Sequence, residues 1–156
     1  MASKKRPVIA VIGAGRCSGA AMKQAEEVGR EIARGGAILV CGGLGGVMEA
    51  ASRGAKSEGG VTIGILPGSD KNNANDYIDF AIPTGIGEAR NILIIRTADA
   101  IVALPGEFGT LSEMAFTMKI GKPLVSLSDW DISDKIIRAD SPKEAVREAI
   151  NLAGRK

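Results

Sequence analysis

Leu104-Pro105-Gly106-Glu107-Phe108-Gly109-Thr110-Leu111-Ser112-Glu113 brings an apolar strand, a glycine loop and a helix start together. The preceding run Ala100-Ile101-Val102-Ala103-Leu104 has no polar residue, as in a strand covered on both faces of a parallel sheet. Met114, Phe116 and Met118 lie in the helix that follows. A strand ending in such a loop turns the free N–H groups of the next helix toward whatever lies above the sheet, which makes the loop an anion site. Thr110 and Glu113 have the Thr-x-x-Glu spacing of a capping box, each side chain satisfying an orphan backbone donor. The same two residues are also placed to meet a ligand.

Working outward, the same strand–glycine–helix unit recurs. Residues 8–12 read as a first strand and 20–34 as an amphipathic helix with Ala21, Ala25, Val28 and Ile32 on one stripe. Between them, Gly13, Gly15 and Gly19 have the spacing G-x-G-x-x-x-G, one residue longer than the dinucleotide fingerprint. The second strand, 37–41, ends in Gly42-Gly43 where a ribose-binding acid would stand, so NAD binding is rejected. Gly42-Gly43-Leu44-Gly45-Gly46 leads into a helix over 47–57 and suits a backbone laid against a ligand. A third strand spans 61–66, the polar stretch 69–76 is a candidate lid, and 80–82 is a short strand. The helix over 88–97 carries Arg90 and Asn91 in its first turn, where a cation opposes the helix dipole; Arg90 is either solvated or reaching toward an anionic ligand. Residues 123–127 make the last strand, Trp130 reads as surface packing, and Ser141-Pro142-Lys143-Glu144 is a helix start.

Six strands alternating with helices predict a three-layer, Rossmann-like, doubly wound and mostly parallel α/β sheet, a single domain over residues 1–156. The glycine loops after strands one, two and five, with Arg90, are expected to converge above the carboxyl ends of the strands.

Composition agrees. Hydrophobic residues make up 45% and aromatics 3%, with 21 glycines, as in a sheet of Val, Ile, Leu and Ala with many tight turns. A net charge of +2 gives no electrostatic case for nucleic acid, and the basic cluster Lys4-Lys5-Arg6 sits at a terminus expected to fray. Glycines at 13 and 15 break the apolar run after it, which reads as a strand rather than a signal peptide. No run approaches the ~20 apolar residues of a membrane span, so a cytoplasmic protein without a membrane partner is expected. Histidine is absent, which removes Ser-His-Asp and Cys-His nucleophiles and the usual zinc sets; no metal site is expected. Cys17 and Cys41 read as reduced thiols without a role.

Gly42-Gly43-Leu44-Gly45-Gly46-Val47-Met48, Gly87-Glu88-Ala89-Arg90-Asn91 and the opening stretch fall in the order of motifs of the LOG-like family. The chain resembles that family over nearly its whole length. The family hallmark is P-G-G-x-G-T-x-x-E preceded by an arginine-bearing helix, and its best-studied members cleave cytokinin nucleoside 5′-monophosphates into free base and ribose 5-phosphate. The resemblance implies that Arg90 and Glu113 are catalytic and that Gly106, Gly109 and Thr110 hold the phosphate. Gly13, Gly15, Gly42, Gly43, Gly45, Gly46, Met48, Asn91, Pro105 and Phe108 are expected around the ligand, in a homo-oligomer, dimer or tetramer.

Glu107 departs from the hallmark, standing where its second glycine would be. In compactness, and in Ile65-Leu66-Pro67-Gly68 and Thr84-Gly85-Ile86-Gly87-Glu88-Ala89-Arg90, the chain is similar to the molybdenum cofactor carrier branch of the same superfamily. Two functions stay open: an N-glycosidic hydrolase of nucleoside monophosphates, or a non-catalytic carrier or sensor of a small phosphorylated molecule. No cofactor is required, and the bound molecule is an AMP-like nucleotide, phosphate or molybdenum cofactor. The lysine decarboxylase label given to such proteins is discounted, because none of Lys23, Lys56, Lys71, Lys119 or Lys122 has a recognisable pyridoxal phosphate site around it.

Overall fold

The computed structural model describes residues 4–155. Seven strands form one sheet: β1 (Val8–Ile12), β2 (Ile38–Cys41), β3 (Val61–Leu66), β4 (Phe80–Pro83), β5 (Ala100–Ala103), β6 (Leu124–Ser126) and β7 (Ile137–Arg138). Their order is β4-β3-β2-β1-β5-β6-β7, and every pairing is parallel. The sequence pattern accounts for six of the strands. The seventh, two residues long, is too short to leave a period-two signature, and it is held by the register Val125↔Ile137 and Ser126↔Arg138.

Helices cover both faces of the sheet. α1 (Gly19–Arg34), α2 (Val47–Ser57) and α5 (Pro142–Ala153) pack on one face, α3 (Arg90–Thr97) and α4 (Phe108–Lys119) on the other. The apolar stripe of α1 buries Ala25, Val28 and Ile32 against β1 and β2 residues such as Ile9 and Leu39. α1 and α2 touch backbone to backbone. A Cβ on Gly29 would stand 1.9 Å from the Ala51 carbonyl oxygen, and one on Gly54 1.9 Å from that of Glu26. Ser141 caps α5 as its sequence indicates, its Oγ accepting from the Glu144 N–H at 3.2 Å with Pro142 in the first turn.

Three local expectations are corrected. Arg6 does not fray: its Nε donates to the Gly36 carbonyl at 2.8 Å and its Nη2 to that of Ala37 at 3.3 Å, tying the entry of β1 to the turn after α1. The stretch read as a lid holds a 3₁₀ turn, Lys71–Asn73, and Asn75 donates from its backbone to the Gly43 carbonyl and from Nδ2 to that of Leu44, both at 2.9 Å. Asn75 thus supplies donors to two carbonyls of the glycine loop after β2, one from its backbone and one from its side-chain amide. The helix expected over 88–97 begins as a separate 3₁₀ turn, Gly87–Ala89, before α3. Among the described residues, no helix is long and apolar enough to cross a membrane.

The chain leaves β1 for β2 on one side and leaves β5 for β6 on the other, although β1 and β5 are neighbours with Ile12 opposite Ala103. Their following loops therefore diverge from adjacent points at the carboxyl edge. This is the position where open α/β sheets leave a crevice.

Candidate functional site

Three glycine loops meet at that crevice. The Ala14 N–H donates to the Pro105 carbonyl at 3.2 Å, and the Ala14 carbonyl accepts from the Val47 N–H at 3.0 Å, so the loop after β1 bridges the loops after β5 and β2. Gly46 makes the second bridge by close approach: with φ +66° it lies where a Cβ would be 2.5 Å from the Ala14 and Gly15 backbone.

Above this floor lies a cavity of about 540 Å³. Of the residues singled out in the sequence, Gly13, Gly15, Gly45, Met48, Arg90, Asn91, Gly109, Thr110 and Glu113 line it. Gly42 lies behind it, against Arg90. Gly43 is packed on Gly64 and Leu66, and Gly46 on the first loop, so these two shape the floor without facing the cavity. Pro105 and Gly106 face a neighbouring cleft of about 330 Å³ with Asp129 and Trp130. Phe108 is 79% exposed and lines a third, more apolar cleft of about 640 Å³ with Ile92, Ile95 and Phe116. That cleft shares Asn91, Gly109 and Glu113 with the cavity, so Glu113 faces both.

The capping-box reading of Thr110 and Glu113 does not hold. α4 starts at Phe108, with Glu107 in the cap position and no side-chain cap bond. Thr110 is buried in the first turn, where its Oγ1 occupies the space a Cβ on Gly106 would need. The N–H groups of Phe108, Gly109 and Thr110 have no acceptor among the described residues, and Gly109 and Thr110 line the cavity.

Arg90 is 8% exposed. Its Nη1 donates to Asn91 Oδ1 and its Nη2 lies 3.4 Å from the Gly42 carbonyl, while Nε is buried with no hydrogen-bond partner. A buried donor left unmade costs about 1–3 kcal/mol, which a bound acceptor would recover. Burial holds the guanidinium below its usual pKa, and the carboxylate of Glu113 works against that. Burial pushes the Glu113 carboxyl up to about 7 despite the opposing charge of Arg90. A half-buried acid raised toward neutral pH beside an unsatisfied guanidinium is equipped to move a proton and hold an anion.

Three participants, Arg16, Leu44 and Trp130, were not legible as such. Arg16 and Leu44, inside the glycine runs, line the cavity, as does Glu107, which the sequence marked as the departure from the hallmark. Trp130, read as surface packing, donates from Nε1 to the Gly106 carbonyl at 2.9 Å and lies with its ring centroid 6.1 Å from that of Phe108. Arg138 of β7 supports it from behind, bonding the Ser128 and Trp130 carbonyls at 3.4 and 3.3 Å. Cys17 and Cys41 are both free thiols, and Cys41 is buried against Ser52.

The sequence pattern of the SLOG cluster4 family, a LOG-like family, matches residues 6–153. The chain belongs to this family. Among solved structures, this SLOG cluster4 protein is similar to the molybdenum cofactor binding protein of the phototrophic bacterium Rippkaea orientalis, with a TM-score of 0.89 and 37% identity. That match covers 94% of this chain and 96% of the other. The Moco carrier protein of Chlamydomonas reinhardtii gives 0.89 at 32% identity, over 97% of this chain and 100% of the other. A cytokinin riboside 5′-monophosphate phosphoribohydrolase of Mycobacterium tuberculosis is 31% identical over 118 residues, 70% of this chain and 63% of that protein.

Proposed function

We propose that the cavity binds a nucleoside 5′-monophosphate and that the protein hydrolyses its N-glycosidic bond to free base and ribose 5-phosphate. The observation that carries this reading is buried Arg90, with its unpartnered Nε, in one cavity with half-buried Glu113, which is raised to about 7. The phosphate accepts from the N–H groups of the first turn of α4, where the helix dipole also favours it. As the bond from C1′ to the base nitrogen breaks, its electron pair leaves with the base and positive charge develops on the ribose. Ionised Glu113 stabilises that charge and orients water; water attacks C1′, and its proton passes to the carboxylate. The proton taken up by the departing base completes the balance: nucleotide plus water gives base plus ribose 5-phosphate. Arg90 anchors the substrate. The reading includes a homo-oligomer, which the exposed apolar side chains of Phe108, Ile92 and Leu93 on α3 and α4 favour.

A second reading is a non-catalytic carrier of a phosphorylated ligand such as molybdenum cofactor. It is favoured by the near-complete overlap with the molybdenum cofactor binding protein and the Moco carrier protein, against partial overlap with the hydrolase. Among the described residues no three His, Cys, Asp or Glu side chains come together as a metal-holding group, so such cargo would be gripped through its phosphate.

Chromatography of a panel of nucleoside monophosphates incubated with the protein separates the two. A hydrolase releases free base, and Glu113→Gln lowers that turnover on the order of 10²–10⁴-fold while nucleotide still binds. A carrier releases no base from any nucleotide, in wild type or variant.

A further inference from the structure

Glu107 stands at the cap position of α4 yet does not cap it, and among the described residues its carboxylate has no ion-pair partner within 4 Å. It lines the cavity beside Gly109 and Thr110, whose N–H groups are the donors an anion would use. The charged groups facing the same space are Arg16 from the loop after β1, Arg90 from α3 and Glu113 from α4; the loop after β2 contributes none. Two guanidinium groups thus meet two carboxyl groups, and the cavity lacks the positive surplus that a doubly charged ligand calls for.

We propose that Glu107 sets the charge preference of the cavity, disfavouring a dianionic phosphate monoester relative to a monoanionic phosphate diester of the same nucleoside. The inference rests on the reading of the cavity as a nucleotide site. Both ligands present non-bridging phosphate oxygens to the helix N-terminus, three in the monoester and two in the diester, and the same nucleoside to the rest of the cavity. Besides the methyl group they differ in one unit of charge, and it is that unit, read through its salt dependence, which the Glu107 carboxylate opposes. Across a partly solvated cleft one such repulsion is worth about 3- to 10-fold in affinity at low ionic strength, and it shrinks as salt screens it.

The experiment is calorimetric titration with AMP and with its 5′-methyl phosphodiester at pH 8, where the monoester is fully dianionic. Wild type, Glu107→Gln and Glu107→Gly are compared at low and high salt. The expected result is that both variants gain about 3- to 10-fold in affinity for AMP beyond any change for the diester, with most of that gain lost at high salt. Equal changes for the two ligands, or a gain that salt does not touch, overturn the inference and leave the nucleotide site standing. Absence of binding of either ligand to all three proteins overturns both.

Discussion

At Glu113 two opposing effects act on one carboxyl, and burial outweighs the neighbouring guanidinium. An unfolded glutamate titrates near 4.3, so a folded value of about 7 means that the folded state holds the proton more tightly. Stability therefore falls as pH rises from about 4.3 to about 7 and stays low above that. Glu113→Gln, which cannot ionise, is expected to be more stable than wild type at pH 8 by on the order of 1–3 kcal/mol, the gap closing by pH 4 in urea melts. A gap that does not change with pH would show that the charge is not what destabilises. In the sequence, a cation in the first turn of a helix opposes the dipole, which left Arg90 either solvated or reaching for an anion; the fold resolves this by burying it at the cavity. Trp130 was not legible, because its partner Gly106 is remote in sequence and no local pattern joins them.

At the scale of elements, period and glycine gave the strands and helices but not every boundary. The capping-box spacing in α4 was a true pattern with the wrong meaning: Gly106 lets Thr110 fold in under the loop, and the helix begins three residues earlier than the box implies. The contact between α1 and α2 was also hidden. A glycine inside a helix reads as a weak position until the neighbouring backbone is known to lie against it. Gly54→Ala adds a methyl group where the Glu26 carbonyl already stands, so the helices must separate. The expected loss is about 2–4 kcal/mol in equilibrium denaturation, against the small gain that alanine brings to an open helix site. A neutral result would mean that this crossing is not close-packed.

For the whole molecule, doubly wound topology was legible because each apolar run is followed by a glycine loop and a helix, and topology alone then fixes where the loops meet. The seventh strand and the cleft beside Trp130 were not, since both depend on how the segment after β6 folds back, and the more apolar cleft was not, since it depends on how α3 and α4 lie together. The apolar side chains left open on α3 and α4 predict a sedimentation coefficient above that of a 16.1 kDa monomer, and Ile92→Asp is expected to shift the protein toward monomer. A wild-type protein that sediments as monomer at micromolar concentration would remove this expectation. The bond from Trp130 to Gly106 has an optical consequence. Trp130 is the chain's single tryptophan, so the emission excited at wavelengths that tyrosine does not absorb comes from one indole whose N–H is tied to the loop under the first turn of α4. Any ligand that draws that loop toward itself alters the environment of this fluorophore, and the protein carries its own reporter of occupancy without a label.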